Sequence, residues 1–172
     1  GIDVPADASF DFAATDDFSI ECWVRGPSTV PTGVRIFIGR NDPGNNLSWW
    51  VGYRPTSGTT AVASFLLQKD AISESVDGTT NLDSTQFYHI VAVHDAGDKE
   101  LRLYVNTVLE GTQPADYTTT TGFASSVPVN IGYFPAVADR HFTGTLDEIA
   151  LYDTALTQNE IDEHYQAGLD GE

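Results

Sequence analysis

Trp49 and Trp50 stand in succession, and of all the residues in this chain they point most directly to recognition chemistry. Successive side chains of a strand face opposite ways, so one of the pair must turn from the core. Alternation with Leu47, Val51 and Tyr53 turns Trp49 inward and Trp50 outward. An outward Trp packs under a further layer, meets a protein partner, or stacks on a ligand. The preceding loop supplies Asn41, Asp42, Asn45 and Asn46. Their amide and carboxylate groups suit sugar hydroxyls or the backbone of a neighbouring subunit. Trp23 opposes the face formed by Phe18, Ile20, Cys22 and Val24, and is expected to pack under a loop or second layer.

Carboxylates come next. A retaining glycosidase needs two acids about 5 Å apart. Glu160, Asp162 and Glu163 superficially resemble such a motif but fall in a capped helical pattern, which spreads them over a solvated face. Asp147 and Glu148 are adjacent, so on a strand they diverge and cannot form the pair by themselves. Asp147 alternates with Ile149 and Leu151, which places it on the core side. A carboxylate there requires hydrogen-bond donors, a basic residue or a cation. Two readings remain: hydrogen bonding that pins a strand or turn, or Ca²⁺, which takes roughly six to eight oxygen ligands. Asp3 and Asp7 become partners for a Ca²⁺ held by Asp147 if the first strand lies beside the last.

The other reactive groups carry less. His89 and His94 have a spacing that zinc ligands can use, but their odd separation turns them to opposite faces of a strand and no Cys pair accompanies them. Cys22, the sole cysteine, shares its face with Phe18, Ile20 and Val24 and reads as a small core residue. No nucleophile elbow, phosphate loop or dinucleotide fingerprint is present.

These groups are carried by a chain of 172 residues with 25 acidic and 8 basic side chains, a formal net charge of −17. Such a surface repels phosphate backbones and anionic lipids, which argues against nucleic-acid and membrane-surface partners. The length fits one domain over residues 1–172 and a core that needs no disulfide. The absence of any methionine leads us to expect a processed chain or a piece of a longer one. No apolar run approaches the ~20 residues of a membrane span, and no signal peptide is recognisable.

Period-2 runs rich in aromatic and β-branched residues recur at Phe18–Val24, Leu47–Tyr53, Val91–Val93 and Leu101–Val105. Turn clusters such as Asn41–Asn46, Pro55–Gly58 and Asp95–Asp98 separate them. Tyr117 to Ser126 reads as a polar loop. The pattern predicts an all-β, two-sheet antiparallel sandwich. One short C-terminal helix follows: Thr157 and Glu160 form a capping box, Ile161 and Tyr165 face the sandwich edge, and Gly168 is placed to stop it.

Three segments carry a family resemblance. Phe18-Ser-Ile-Glu-Cys-Trp-Val-Arg25, Tyr88-His-Ile-Val-Ala-Val-His-Asp95 with Leu101-Arg-Leu-Tyr-Val-Asn106, and Gly144-Thr-Leu-Asp-Glu-Ile through Tyr152-Asp-Thr-Ala-Leu-Thr-Gln-Asn-Glu-Ile161 occur in this order. Together they resemble the laminin-G-like (concanavalin A-like) jelly-roll domains. The chain departs from the pattern at Thr107, where the family often has Gly, which points to a longer or different turn. It also departs at its start, where the family has a further strand. The resemblance implies a jelly roll and a non-catalytic extracellular, cell-surface or virion-surface module that recognises glycans or protein partners, steadied by Ca²⁺ in many members. The alternative it implies is a structural subunit that binds neighbouring copies of itself in a particle or filament. A glycosidase or lyase on the same scaffold is the least favoured reading.

Overall fold

The computed structural model describes residues 1–135 and 140–170. Among these residues eleven strands run β1 (Ile2–Val4), β2 (Phe18–Arg25), β3 (Arg35–Asp42), β4 (Leu47–Pro55), β5 (Ala61–Lys69), β6 (Ile72–Asp77), β7 (Tyr88–Asp95), β8 (Glu100–Val105), β9 (Val108–Pro114), β10 (Val129–Ile131) and β11 (Thr145–Tyr152), followed by helix α1 (Gln158–Asp170). One sheet has six strands in the order β1-β10-β3-β4-β5-β6; the other has five, in the order β11-β2-β7-β8-β9. Paired strands are antiparallel throughout. This is the antiparallel sandwich that the alternation predicts, with the one C-terminal helix expected from the capping box, in the jelly-roll form that the resemblance implies. Among the described residues no helix is long and apolar enough to cross a membrane.

The main core lies between the sheets. It takes Phe18, Ile20, Cys22 and Val24 from β2, Leu47, Trp49, Val51 and Tyr53 from β4, and Leu101, Leu103 and Val105 from β8. These are the faces that the period-2 runs define. Burial pushes the Cys22 thiol up to about 12, so it stays protonated and inert at neutral pH. Tyr117 and Phe123, inside the segment read as a polar loop, are instead fully buried. They pack edge to face with each other and with His94, closing one end of the sandwich.

Strand β7 is buried on both faces from Tyr88 to His94. Its outer residues Val91 and Val93 form a second apolar cluster with Tyr104, Leu156 and Ile161. Helix α1 therefore lies on the outer face of the five-stranded sheet rather than at the sandwich edge. Tyr165 stacks on Trp23 with ring centroids 5.5 Å apart, which gives Trp23 its second layer. The capping box forms: Glu160 accepts from the Thr157 amide and hydroxyl, both at 2.8 Å. Gly168 does not stop the helix, which continues to Asp170. Its role is close approach, because a Cβ there would sit 2.4 Å from the Trp23 ring.

The turn between β8 and β9 also differs from expectation. It has two residues, Asn106 and Thr107, with φ of 47° and 70°. Both lie in the left-handed region, so Thr107 holds the tight turn that Gly usually makes, at some cost in backbone strain.

Candidate functional site

A cleft of about 480 Å³ opens on the outer face of the six-stranded sheet. Strand alternation builds its floor. Gly39 and Leu66 are the Cα partners of Trp50, while Asn41 and Gln68 are those of Ser48. Facing partners share one side of a sheet, so Asn41, Ser48, Trp50, Leu66 and Gln68 come together on this face. A register shift between Ile36 and Ile38 leaves one extra residue in β3. That bulge turns Phe37 and Ile38 into the core and Ile36 outward, where it packs with Trp50 and Phe134. Gly39 permits this packing: a Cβ there would lie 2.8 Å from the Trp50 Cβ and 3.1 Å from the Phe134 ring.

Apolar and polar groups alternate around the cleft. Val34, Leu66, Trp50 and Phe134 supply carbon surface; Asn41, Ser48, Ser75 and Gln68 supply donors and acceptors. Arg54 and Arg140 border it, and Ser64 lines it with an Oγ that has no hydrogen-bond partner among the described residues. Arg54 is paired with Asp77.

The structure divides the residues singled out from sequence. Trp49 enters the core and Trp50 the opposite face, as alternation predicts. Trp50, however, is only 7% exposed, covered with Phe134 and Ile36 in a small apolar cluster. It forms part of the cleft wall rather than a free stacking platform. Asn41 lines the cleft. Asp42, Asn45 and Asn46 do not: Asp42 accepts from the Ser125 hydroxyl at 2.7 Å, and Asn45 donates to the Ala124 carbonyl at 2.7 Å. Asn46 takes the left-handed C-cap of the short turn Pro43–Asn45. These three fix a loop.

The aspartates proposed for calcium are not brought together. Asp147 is exposed and points away from the core. Between Asp147 and Ala150 the ladder to β2 gains one residue, and Glu148 takes a φ of 45°. The bulge reverses the alternation: Asp147 lies opposite Trp23 on the outer face, whereas Leu151 lies opposite Ile20 in the core. The Asp147 carboxylate accepts from the Glu148 amide at 2.9 Å. Strand β1 pairs with β10 in the other sheet, not with β11. Asp3 there accepts from Tyr133 and Asn130, which hold its carboxyl below the usual range. Asp7 caps a separate turn by accepting from the Ser9 amide at 2.9 Å. Among the described residues no three His, Cys, Asp or Glu side chains form a group able to hold a metal.

Sequence reasoning missed Leu66, Gln68 and the two arginines. Period-2 alternation in β5 puts Ser64, Leu66 and Gln68 on one face, and that signal was readable. Phe134 and Arg140 arrive from a loop with no periodicity to reveal them.

The outer face of the five-stranded sheet carries a second cleft, of about 450 Å³, beside α1. There the buried Glu21 carboxylate meets His89 Nε2 at 2.5 Å, the Tyr152 hydroxyl at 2.6 Å and His164 Nδ1 at 3.0 Å. Burial would raise the Glu21 carboxyl, but the hydrogen bonds from His89 and Tyr152 outweigh it and hold the group below its ordinary value. With three partners, Glu21 ties α1, β7 and β11 to β2 and has little capacity left for a ligand. His89 and His94 lie on opposite faces, as their spacing predicts.

Eleven strands in two antiparallel sheets, with clefts on both outer faces, define a lectin-like β-sandwich. The chain belongs to the Laminin_G_3 family of the concanavalin A-like lectin/glucanase superfamily, whose model matches residues 1–162. No curated protein sequence matches it. Among solved structures it is similar to the CBM40 domain of Ruminococcus gnavus IT-sialidase bound to α2,3 sialyllactose, with a TM-score of 0.69, 14% identity, and coverage of 92% of this chain and 85% of that one. It is also similar to the binding domain of botulinum neurotoxin serotype G (TM-score 0.68, 15% identity), covering 95% of this chain but only 39% of that one. A third likeness is to the native heptameric SAP-like pentraxin from Limulus polyphemus, with a TM-score of 0.65, 13% identity and coverage of 93% and 78%. At such identities the likeness is one of fold.

Proposed function

We propose that this chain is a non-catalytic, carbohydrate-binding module of a secreted or surface protein, and that the cleft on the six-stranded sheet is its binding site. One observation carries the reading: neutral hydrogen-bonding side chains and apolar wall are interleaved there. A sugar ring presents hydroxyls at its edge and C–H groups on its faces, and needs both kinds of contact. Asn41, Ser48 and Gln68 meet the first need; Leu66, Trp50 and Phe134 meet the second. The sialyllactose-bound CBM40 domain, which this chain covers over most of its length, supports the assignment of a glycan to the fold. Two observations support the non-catalytic reading: among the described residues the cleft lining contains no carboxylate, and Glu21 is held by three partners.

A glycan array with the wild-type chain, repeated with an Asn41→Ala/Gln68→Ala variant, tests the site. We expect defined glycans to bind, and binding to fall by roughly tenfold or more in the variant, with an unchanged melting temperature. An array without signal, or a variant that binds as well as the wild type, refutes the assignment.

A further inference from the structure

The cleft stands apart from the rest of the molecule in charge. The chain has 25 carboxylate side chains, yet among the described residues none lines this cleft, which is bordered by Arg54 and Arg140. Most of the other cations are already engaged. Arg40, Lys69, Lys99 and Arg102 each hold a carboxylate, Arg54 holds Asp77, and Arg25 lies over the Phe87 ring and donates to Thr145. The half-buried Arg140 has no hydrogen-bond or ion-pair partner for its guanidinium among the described residues. In a chain carrying −17, a guanidinium that has no such partner and borders a cleft is suited to an anion from outside. Ser64 adds an independent sign. It is 1% exposed, it lines the same cleft, and its hydroxyl lacks a partner. Buried hydroxyls are rarely left unmatched, and a ligand is one means of matching this one.

We propose that the cleft binds a carboxylated sugar, with the Arg140 guanidinium pairing the carboxylate and Asn41, Ser48 and Gln68 taking the hydroxyls. The proposal rests on the carbohydrate reading above and narrows its ligand class. A guanidinium fork matches the two oxygens of a planar carboxylate. A singly charged acid is also the anion least opposed by the surrounding negative field. Two sources share this chemistry: a terminal nonulosonic acid at the end of a glycan, and a uronic acid within a polysaccharide.

Titration calorimetry with matched pairs tests it: 3′-sialyllactose against lactose, and oligogalacturonate against its methyl ester. In at least one pair we expect the acid to bind roughly 10–100-fold tighter than the neutral member. Whichever pair responds names the source. In Arg140→Gln the acid should weaken to the level of the neutral member, with Arg140→Lys in between and the melting temperature unchanged. Neutral and acidic members binding equally, or an Arg140→Gln variant that keeps the preference, would overturn the carboxylate proposal while leaving the glycan cleft standing. No binding to any of the four probes, together with a silent glycan array, would overturn both.

Discussion

At the residue scale, Trp49 and Trp50 show how far alternation reaches. It assigns the two faces correctly but is blind to what lies above each face. Phe134 and Ile36 cover Trp50, so both tryptophans are packing residues and both truncations should destabilise. We expect Trp49→Ala and Trp50→Ala each to cost about 3–5 kcal/mol in urea unfolding. A Trp50→Ala variant as stable as the wild type would show that the cluster with Phe134 contributes nothing. Arg40 makes a similar point. Its side chain is wholly buried. It donates to the Phe10, Ser125 and Val127 carbonyls and to Asp11 at 2.8 Å. Alternation with Ile38 points it inward, so its burial was legible; its partners, 29 to 87 residues away, were not. Arg40→Leu should cost about 3–5 kcal/mol, because it strands those acceptors without a donor.

At the element scale, the departures from expectation arise where two elements meet. Gly168 reads as a helix stop in isolation, and the packing of α1 on Trp23 gives it a different task. Gly-to-Ala inside a helix ordinarily stabilises by about 1 kcal/mol. Here the added methyl must displace the Trp23 ring, and overpacking of this kind costs about 1–3 kcal/mol. We therefore expect Gly168→Ala to lower the melting temperature and to change Trp fluorescence; a rise would mean that α1 has room to spare. Strand β11 gives the second case. Its residues alternate without interruption in the sequence, and that alternation alone puts Asp147 on one face with Leu151. A bulge has no hydrophobic signature, and only the partner register in β2 exposes it. Because Asp147 lies outside and apart from Asp3 and Asp7, Asp147→Ala should leave the response of the melting curve to Ca²⁺ and EDTA as it is in the wild type. A calcium effect that vanishes with this substitution would require the three aspartates to converge in solution. Most strands, the capping box and the sandwich itself were readable, since each follows from local periodicity or a short motif. The cleft was only partly so, since it combines three adjacent strands with a loop that has no pattern.

At the scale of the whole molecule, two buried groups contribute to the loss of stability in acid. His94 is buried among Phe18, Tyr117 and Phe123, and burial pushes its imidazole below the ordinary value of 6.5. Its neutral form is therefore favoured in the fold, and the stability this confers is present above about pH 6.5 and declines as pH falls below it. Glu21, held below 4.5, contributes stability that is full above that value and is lost as pH drops through its lowered one. Unfolding free energy should thus fall in two stages on acidification. His94→Gln should remove the first stage and leave the second. A pH profile that is flat from 7 to 5 in the wild type would contradict the burial of a neutral His94.

The strand order also sets a clock. β2 lies between β7 and β11, and Arg25 pairs with Thr145, 120 residues further along the chain. On a ribosome adding roughly 5–20 residues per second, β2 waits on the order of ten seconds for its second neighbour. During that interval one edge of β2 stays open, and Trp23 has neither Tyr165 nor Gly168 against it. Sandwiches closed by such distant pairings fold in milliseconds to seconds, so synthesis rather than folding limits when the domain closes. The nascent chain is most prone to sticking not while its core residues emerge, but afterwards, while a nearly complete sandwich waits for its last strand and helix.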